Sequence, residues 1–201
     1  MMKKIVLLAL AGDCDSLVAA VENGANAVYF GGNMFNARRG AVNFDGEEMK
    51  RAIRYAHLYN VKVYITFNIL IKEHELDEAL NFLYLLDELN VDGVIVQDIG
   101  LAKLIREEFP NLPIHASTQM TIHNIEGLRA LEDMGISRAI LAREVTLKEI
   151  ENMVSKSSIE LEVFIHGALC ICYSGQCLMS SMLGGRSGNR GMCAQPCRLP
   201  Y

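Results

Sequence analysis

The sequence predicts an α/β chain: an incomplete (β/α) TIM-like barrel of about seven strands, followed by a Cys/Gly-rich irregular segment. Three observations predict it. Short, β-branched apolar runs alternate with amphipathic stretches, as in a parallel sheet with helical crossovers. Polar residues follow most of the apolar runs directly: Gly12-Asp13, Gly31-Gly32-Asn33, Asn68, Gln97-Asp98, Ser117–Gln119, Arg143-Glu144 and His166. An open doubly wound sheet would also fit the alternation, but in a barrel all of these residues converge on one rim, where barrel sites lie. Finally, a full eight-fold barrel takes about 250 residues, and this chain of 201 residues has room for most of one.

The elements follow in order. Ile5–Ala9 is the first strand. The Met-Met-Lys-Lys start imitates a secretory signal, but the apolar run is short and meets Gly12-Asp13-Cys14, so it reads as a buried strand of a cytoplasmic protein. Helix 15–23 ends at Gly24, and strand Ala27–Phe30 follows. Asp45 stands at the N-cap of helix 46–59, before strand Lys62–Thr66. In helix 76–89, Leu76, Ala79, Leu80, Leu83 and Leu86 share one face. Strand Gly93–Val96, helix 99–109 and strand Ile114–Ala116 come next. Asn124 caps helix 124–134, which Gly135 closes before strand Ala139–Leu141. Thr146 with Glu149 forms a capping box for helix 146–154, and Leu161–Ile165 is the last strand. Residues 1–165 are thus barrel units, and 166–201 form a Cys/Gly-rich segment expected to pack on the rim of the same domain.

Half of the chain is apolar (51%) and 21% is charged, which is globular composition. The net charge of −5 argues against coating nucleic acid by bulk electrostatics, so any anion site must be local. No apolar run approaches the ~20 residues of a membrane span.

Five of six cysteines fall in the last 32 residues, with Cys170, Cys177, Cys193 and Cys197 spaced C-x6-C-x15-C-x3-C and Cys172 as a spare. Disulfide scaffolds scatter their cysteines, whereas a tight cluster in a cytosolic-looking chain reads as a metal site. Zinc ribbons pair close knuckles, and only Cys193–Cys197 qualifies, so a 4Fe-4S cluster is favoured over zinc or free thiols. Gly184–Gly191, with Arg186 and Arg190, has the look of an anion-binding loop, though such loops often only turn the chain. Asn36, Arg38 and Arg39 lie in the loop after the second strand, on the expected rim, as substrate- or anion-binding candidates. Strand alternation puts Glu162, Phe164 and His166 on one face, so Glu162 and His166 are candidates for acid–base work or a satisfied polar pair. No G-x-S-x-G or H-E-x-x-H signature is present.

The stretch 162–180, Glu-Val-Phe-Ile-His-Gly-Ala-Leu-Cys-Ile-Cys-Tyr-Ser-Gly-Gln-Cys-Leu-Met-Ser, resembles the signature of the collagenase-like peptidase family numbered thirty-two among the unclassified peptidases. Gly-Asn-Arg-Gly-Met-Cys-Ala-Gln-Pro-Cys-Arg at 188–198, Ala-Val-Tyr-Phe-Gly-Gly at 27–32 and Phe-Asn-Ala-Arg at 35–38 resemble it too, as does Ala-Gly-Asp at 11–13 behind a Leu10 where proline is usual. The resemblance implies either a collagen-degrading protease or an oxygen-independent, iron–sulfur hydroxylase of an RNA base or a quinone ring. It implies cluster ligation by Cys170, Cys177 and Cys193, with Cys197 or a residue farther downstream as the fourth ligand. Four-sulfur ligation suits electron chemistry better than peptide hydrolysis, which favours the hydroxylase, acting on RNA or a small molecule, over the peptidase and over a zinc-braced binding module. Family members are usually longer, so the expected partners also include a missing C-terminal region or a second copy of the chain.

Overall fold

The computed structural model describes residues 5–40 and 43–200. The Met-Met-Lys-Lys start and Tyr201 lie outside the described residues. Seven parallel strands run in sequence order: β1 (Leu8–Leu10), β2 (Ala27–Gly31), β3 (Lys62–Phe67), β4 (Gly93–Val96), β5 (Ile114–Ala116), β6 (Arg138–Ile140) and β7 (Glu160–Glu162). Each pairs in parallel with its neighbour, and the sheet curls into an incomplete TIM barrel. The crossovers carry α1 (Cys14–Glu22), α2 (Gly46–Leu58), α3 (Leu76–Glu88), α4 (Ile99–Glu108), α5 (Ile125–Asp133) and α6 (Leu147–Lys156).

The same local chemistry opens and closes most of these units. The Asp45 and Thr146 capping boxes form, and Asn124 accepts the Gly127 amide at 2.9 Å. Asp13 and Asp98, among the polar residues expected on the rim, cap α1 and α4 by accepting the Ser16 and Leu101 amides at 2.7 and 2.9 Å. At the other end, Gly24, Asn60, Asn90 and Gly135 all turn left-handed just after a helix. An apolar residue follows each of them and bonds back to the helix, as Val61 does to the Ala56 carbonyl at 3.0 Å.

Strand alternation splits the buried residues into two sets. Val28, Phe30, Val63, Ile65, Phe67, Val94 and Val96 face the helices and pack with Leu17, Met49, Ile53, Leu83, Leu101 and Leu128. Ala27, Tyr64, Ile95 and Ile140 form a smaller cluster on the concave face, where His115, Arg138 and Glu162 share their strand parity. Burying each large side chain of the first set contributes about 1.5–3 kcal/mol, which makes the helix-facing layer the main source of stability.

The edge strands are shorter than the sequence predicts. β1 begins at Leu8 rather than Ile5, whose side chain is 90% exposed. β7 ends at Glu162, leaving Val163, Phe164 and Ile165 exposed. Each edge strand has a hydrogen-bonded neighbour on one side only, so its ends lack the second ladder that extends the central strands.

Candidate site at the barrel rim

From Val163 onward the chain crosses the C-terminal ends of the strands, held by hydrogen bonds to several βα loops. The loop after β5 holds it through Thr121, whose Oγ1 donates to the Ser174 carbonyl at 2.8 Å and accepts from Gln176 Nε2 at 2.9 Å. Beyond β6, Arg143 donates to the carbonyls of Cys170 (2.8 Å) and Cys172 (2.9 Å), and Glu144 accepts from the Ser174 amide at 2.9 Å. On the opposite side, the Leu70 amide donates to the Asn189 carbonyl at 3.0 Å. Two glycines allow the closest approaches. Gly175 and Gly191 have φ of +73° and +71°, and a Cβ on either would collide with the carbonyl of Gln119 or Asn36.

The segment gathers the cysteines at this rim. Cys170, Cys193 and Cys197 are exposed, and Cys172 and Cys177 are half-buried. Burial, then a hydrogen bond donated to Cys177, push the Cys172 thiol up, so the residue expected to be a spare stands against a proposed ligand. The Gln195 amide donates to Cys193 Sγ at 3.4 Å. As donors these sulfurs fit a thiolate-held group, with no carboxylate between residues 163 and 200 to compete. Among the described residues, no three His, Cys, Asp or Glu side chains yet stand together as a formed metal cage.

Other predicted site residues separate into those with internal work and those facing solvent. Asn36 is buried: its Nδ2 donates to the Gly32 carbonyl, and its Oδ1 accepts the Arg38 amide at 2.7 Å, so it shapes its loop rather than facing a ligand. Arg190 forms a fork onto Glu75, with Nη1 at 2.7 Å, and also bonds the Leu70 carbonyl, which occupies the cation expected to bind an anion. This fork holds the Glu75 carboxyl down at about 2, against the opposing effect of burial. The glycines of 184–191 serve as turns, Gly185 ending the short α7 (Met179–Gly184) and Gly191 ending a 3-10 turn. Arg38 and Arg186 remain exposed on this side, Arg186 donating only its Nε, to the Met192 carbonyl at 3.0 Å.

Glu162 and His166 do not share a strand face, because β7 ends at Glu162 and His166 is exposed in the following loop. Glu162 lies on the concave face with Oε2 3.5 Å from Arg138 Nη1. Burial pushes its carboxyl up, with Arg138 opposing. Sequence reasoning gave Arg143 and Glu144 no role beyond the rim and overlooked His123, whose Nε2 stands 3.5 Å from Glu144 Oε2. The one signal was the Arg-Glu pair directly after a strand.

A model described as peptidase family U32 matches residues 12–201. The chain belongs to this family. It is 40% identical over 199 residues to the tRNA hydroxylation protein P1 of Bacillus subtilis, covering 99% of this chain and 47% of the relative. It is also 40% identical over 198 residues to the 23S rRNA 5-hydroxycytidine C2501 synthase of Escherichia coli, covering 98% of this chain and 30% of that one. The chain therefore spans half or less of the length of these relatives. In fold it is similar to the U32 peptidase Mk0906, with a TM-score of 0.68 at 16% identity, over 81% of this chain and 70% of that one.

Proposed function

We propose that this U32 chain is the barrel and cysteine-bearing part of a cytoplasmic, oxygen-independent hydroxylase of RNA bases. The observation that carries the reading is the cysteine segment clamped across the barrel rim of a chain 40% identical to two proteins named for RNA hydroxylation. Cys170, Cys177, Cys193 and Cys197 would hold a 4Fe-4S cluster. Such a group, when bound, supplies one-electron chemistry.

The chain's own residues contribute binding and orientation. Arg38, Arg39 and Arg186 are exposed guanidinium groups that can meet phosphates, a local basic surface on a chain of net charge −5. His166, exposed beyond β7, is the proton carrier of this reading. Among the described residues no helix is long and apolar enough to cross a membrane.

Iron and acid-labile sulfide analysis of anaerobically reconstituted protein tests this. The expected result is a brown protein with both elements, its colour abolished by Cys170→Ala, Cys177→Ala or Cys193→Ala and kept by Cys14→Ala. Stoichiometric zinc with no iron uptake supports the zinc-braced module instead. Gelatin cleavage that survives the cysteine changes in metal-free protein supports the peptidase.

A further inference from the structure

We infer that Arg143 is a positioning residue that fixes the cysteine loop 170–177 on the rim and sets the charge felt at its sulfur atoms. The second half of the inference rests on reading those cysteines as cluster ligands. Arg143 follows β6 within three residues, and the backbone before it is held by the Leu141 and Ala142 amides, each bonded to a carbonyl of a neighbouring segment at 3.0 Å. Its guanidinium then reaches three alternate residues of one loop: Nη1 to the Cys170 carbonyl at 2.8 Å, Nη2 to the Cys172 carbonyl at 2.9 Å, and Nε to Ser174 Oγ at 3.0 Å. A planar fork with fixed donor directions can make this set, and a lysine point charge cannot.

Ser174 completes the clamp. It is 1% exposed in a loop whose neighbours face solvent, and its amide and hydroxyl both donate to Glu144 Oε1. His123 stands behind Glu144, with its Nδ1 on the Thr121 carbonyl at 2.9 Å. Leu169, Ile171 and Tyr173, the apolar residues of the loop, are 69%, 76% and 64% exposed. Apolar burial therefore does little to hold this loop, and the charge-assisted hydrogen bonds of Arg143 decide its position. The same guanidinium, with Glu144 Oε1 3.9 Å from its Nη2 offsetting part of its charge, leaves a fixed positive group bonded to the carbonyls of two cysteines. A positive group hydrogen-bonded around sulfur ligands favours the reduced state of whatever they hold.

Two readouts in the full-length protein test the inference, with Arg129→Gln, an exposed surface arginine, as control. In metal-free protein, Arg143→Gln should speed amide exchange across 170–177 by roughly 10- to 100-fold while the barrel helices stay protected. Ser174→Ala should act in the same direction to a smaller extent, and Arg143→Lys should restore only part of the protection. Exchange equal to wild type in Arg143→Gln, or full rescue by lysine, overturns the clamp. In the iron-loaded protein, an EPR-monitored titration should show Arg143→Gln reduced only at more negative potential, and an unchanged potential overturns the electrostatic half. A wild-type protein that takes up no iron counts against the proposed function, and the exchange measurement still decides the clamp.

Discussion

His115 is held neutral on the concave face, where burial, then the charges of Arg138 and Lys62, lower its pKa to about 3. Its ring meets Tyr64 edge-on at 4.5 Å, Arg138 lies over the same Tyr64 ring, and among the described residues its Nδ1 has no hydrogen-bond partner. Between about pH 3 and 6.5 the unfolded chain binds a proton at this histidine that the native chain refuses, so stability falls as pH drops through that window. This one group contributes a slope of at most about 1.4 kcal/mol per pH unit. Urea unfolding of His115→Asn against wild type should show the slope flattened by that order, and parallel curves would contradict it. Glu75 titrates in a lower window. Its pKa, lowered by Arg190, gives stability that is present above about 4.5 and lost as pH falls toward about 2. Glu75→Gln should cost about 1 kcal/mol at neutral pH, a modest figure because the pair is partly exposed. The difference should vanish in urea titrations at the acid end.

At the scale of elements, most of the architecture was legible in the sequence. β4, buried on both faces, is a continuous apolar run and begins and ends where the sequence predicts, as does β5, where Ile114 and Ala116 flank the buried His115. The caps Asp45, Asn124 and Thr146 were legible for a similar reason, since an N-cap bonds amides only two or three residues away. What could not be read was long-range pairing. Arg190 has no acid nearby in sequence, yet Glu75 meets it across a separation of 115 residues. Asn36 looked like a rim ligand because the turn that engulfs it is not visible in residue spacing. The shortened edges of β1 and β7 depend on which strands lack a neighbour, again a property of the assembled sheet. The docking of the cysteine segment depends on Gly175, where any side chain meets the Gln119 carbonyl. Gly175→Ala should therefore destabilise that docking by about 1–3 kcal/mol. It should be read as faster alkylation of Cys172 and Cys177 with helical circular dichroism unchanged, and wild-type alkylation rates would refute the contact.

For the whole molecule, two open sheet edges and the cysteine-bearing rim belong to one curled sheet. Ile5 and Ile165, at the two edges, are 90% and 84% exposed, and unpaired parallel edges invite another strand. A polypeptide of residues 1–201 should self-associate in sedimentation equilibrium at micromolar concentrations, and a strict monomer across a wide range would contradict this. The central claim is that the cysteines on this rim serve RNA hydroxylation. Its most direct test is mass spectrometry of RNA nucleosides from cells lacking the gene, complemented with wild type or with Cys177→Ala. The account predicts the loss of one hydroxylated nucleoside, restored by the wild type and not by the cysteine variant. An unchanged nucleoside profile in the deletion, or full restoration by Cys177→Ala, would contradict it.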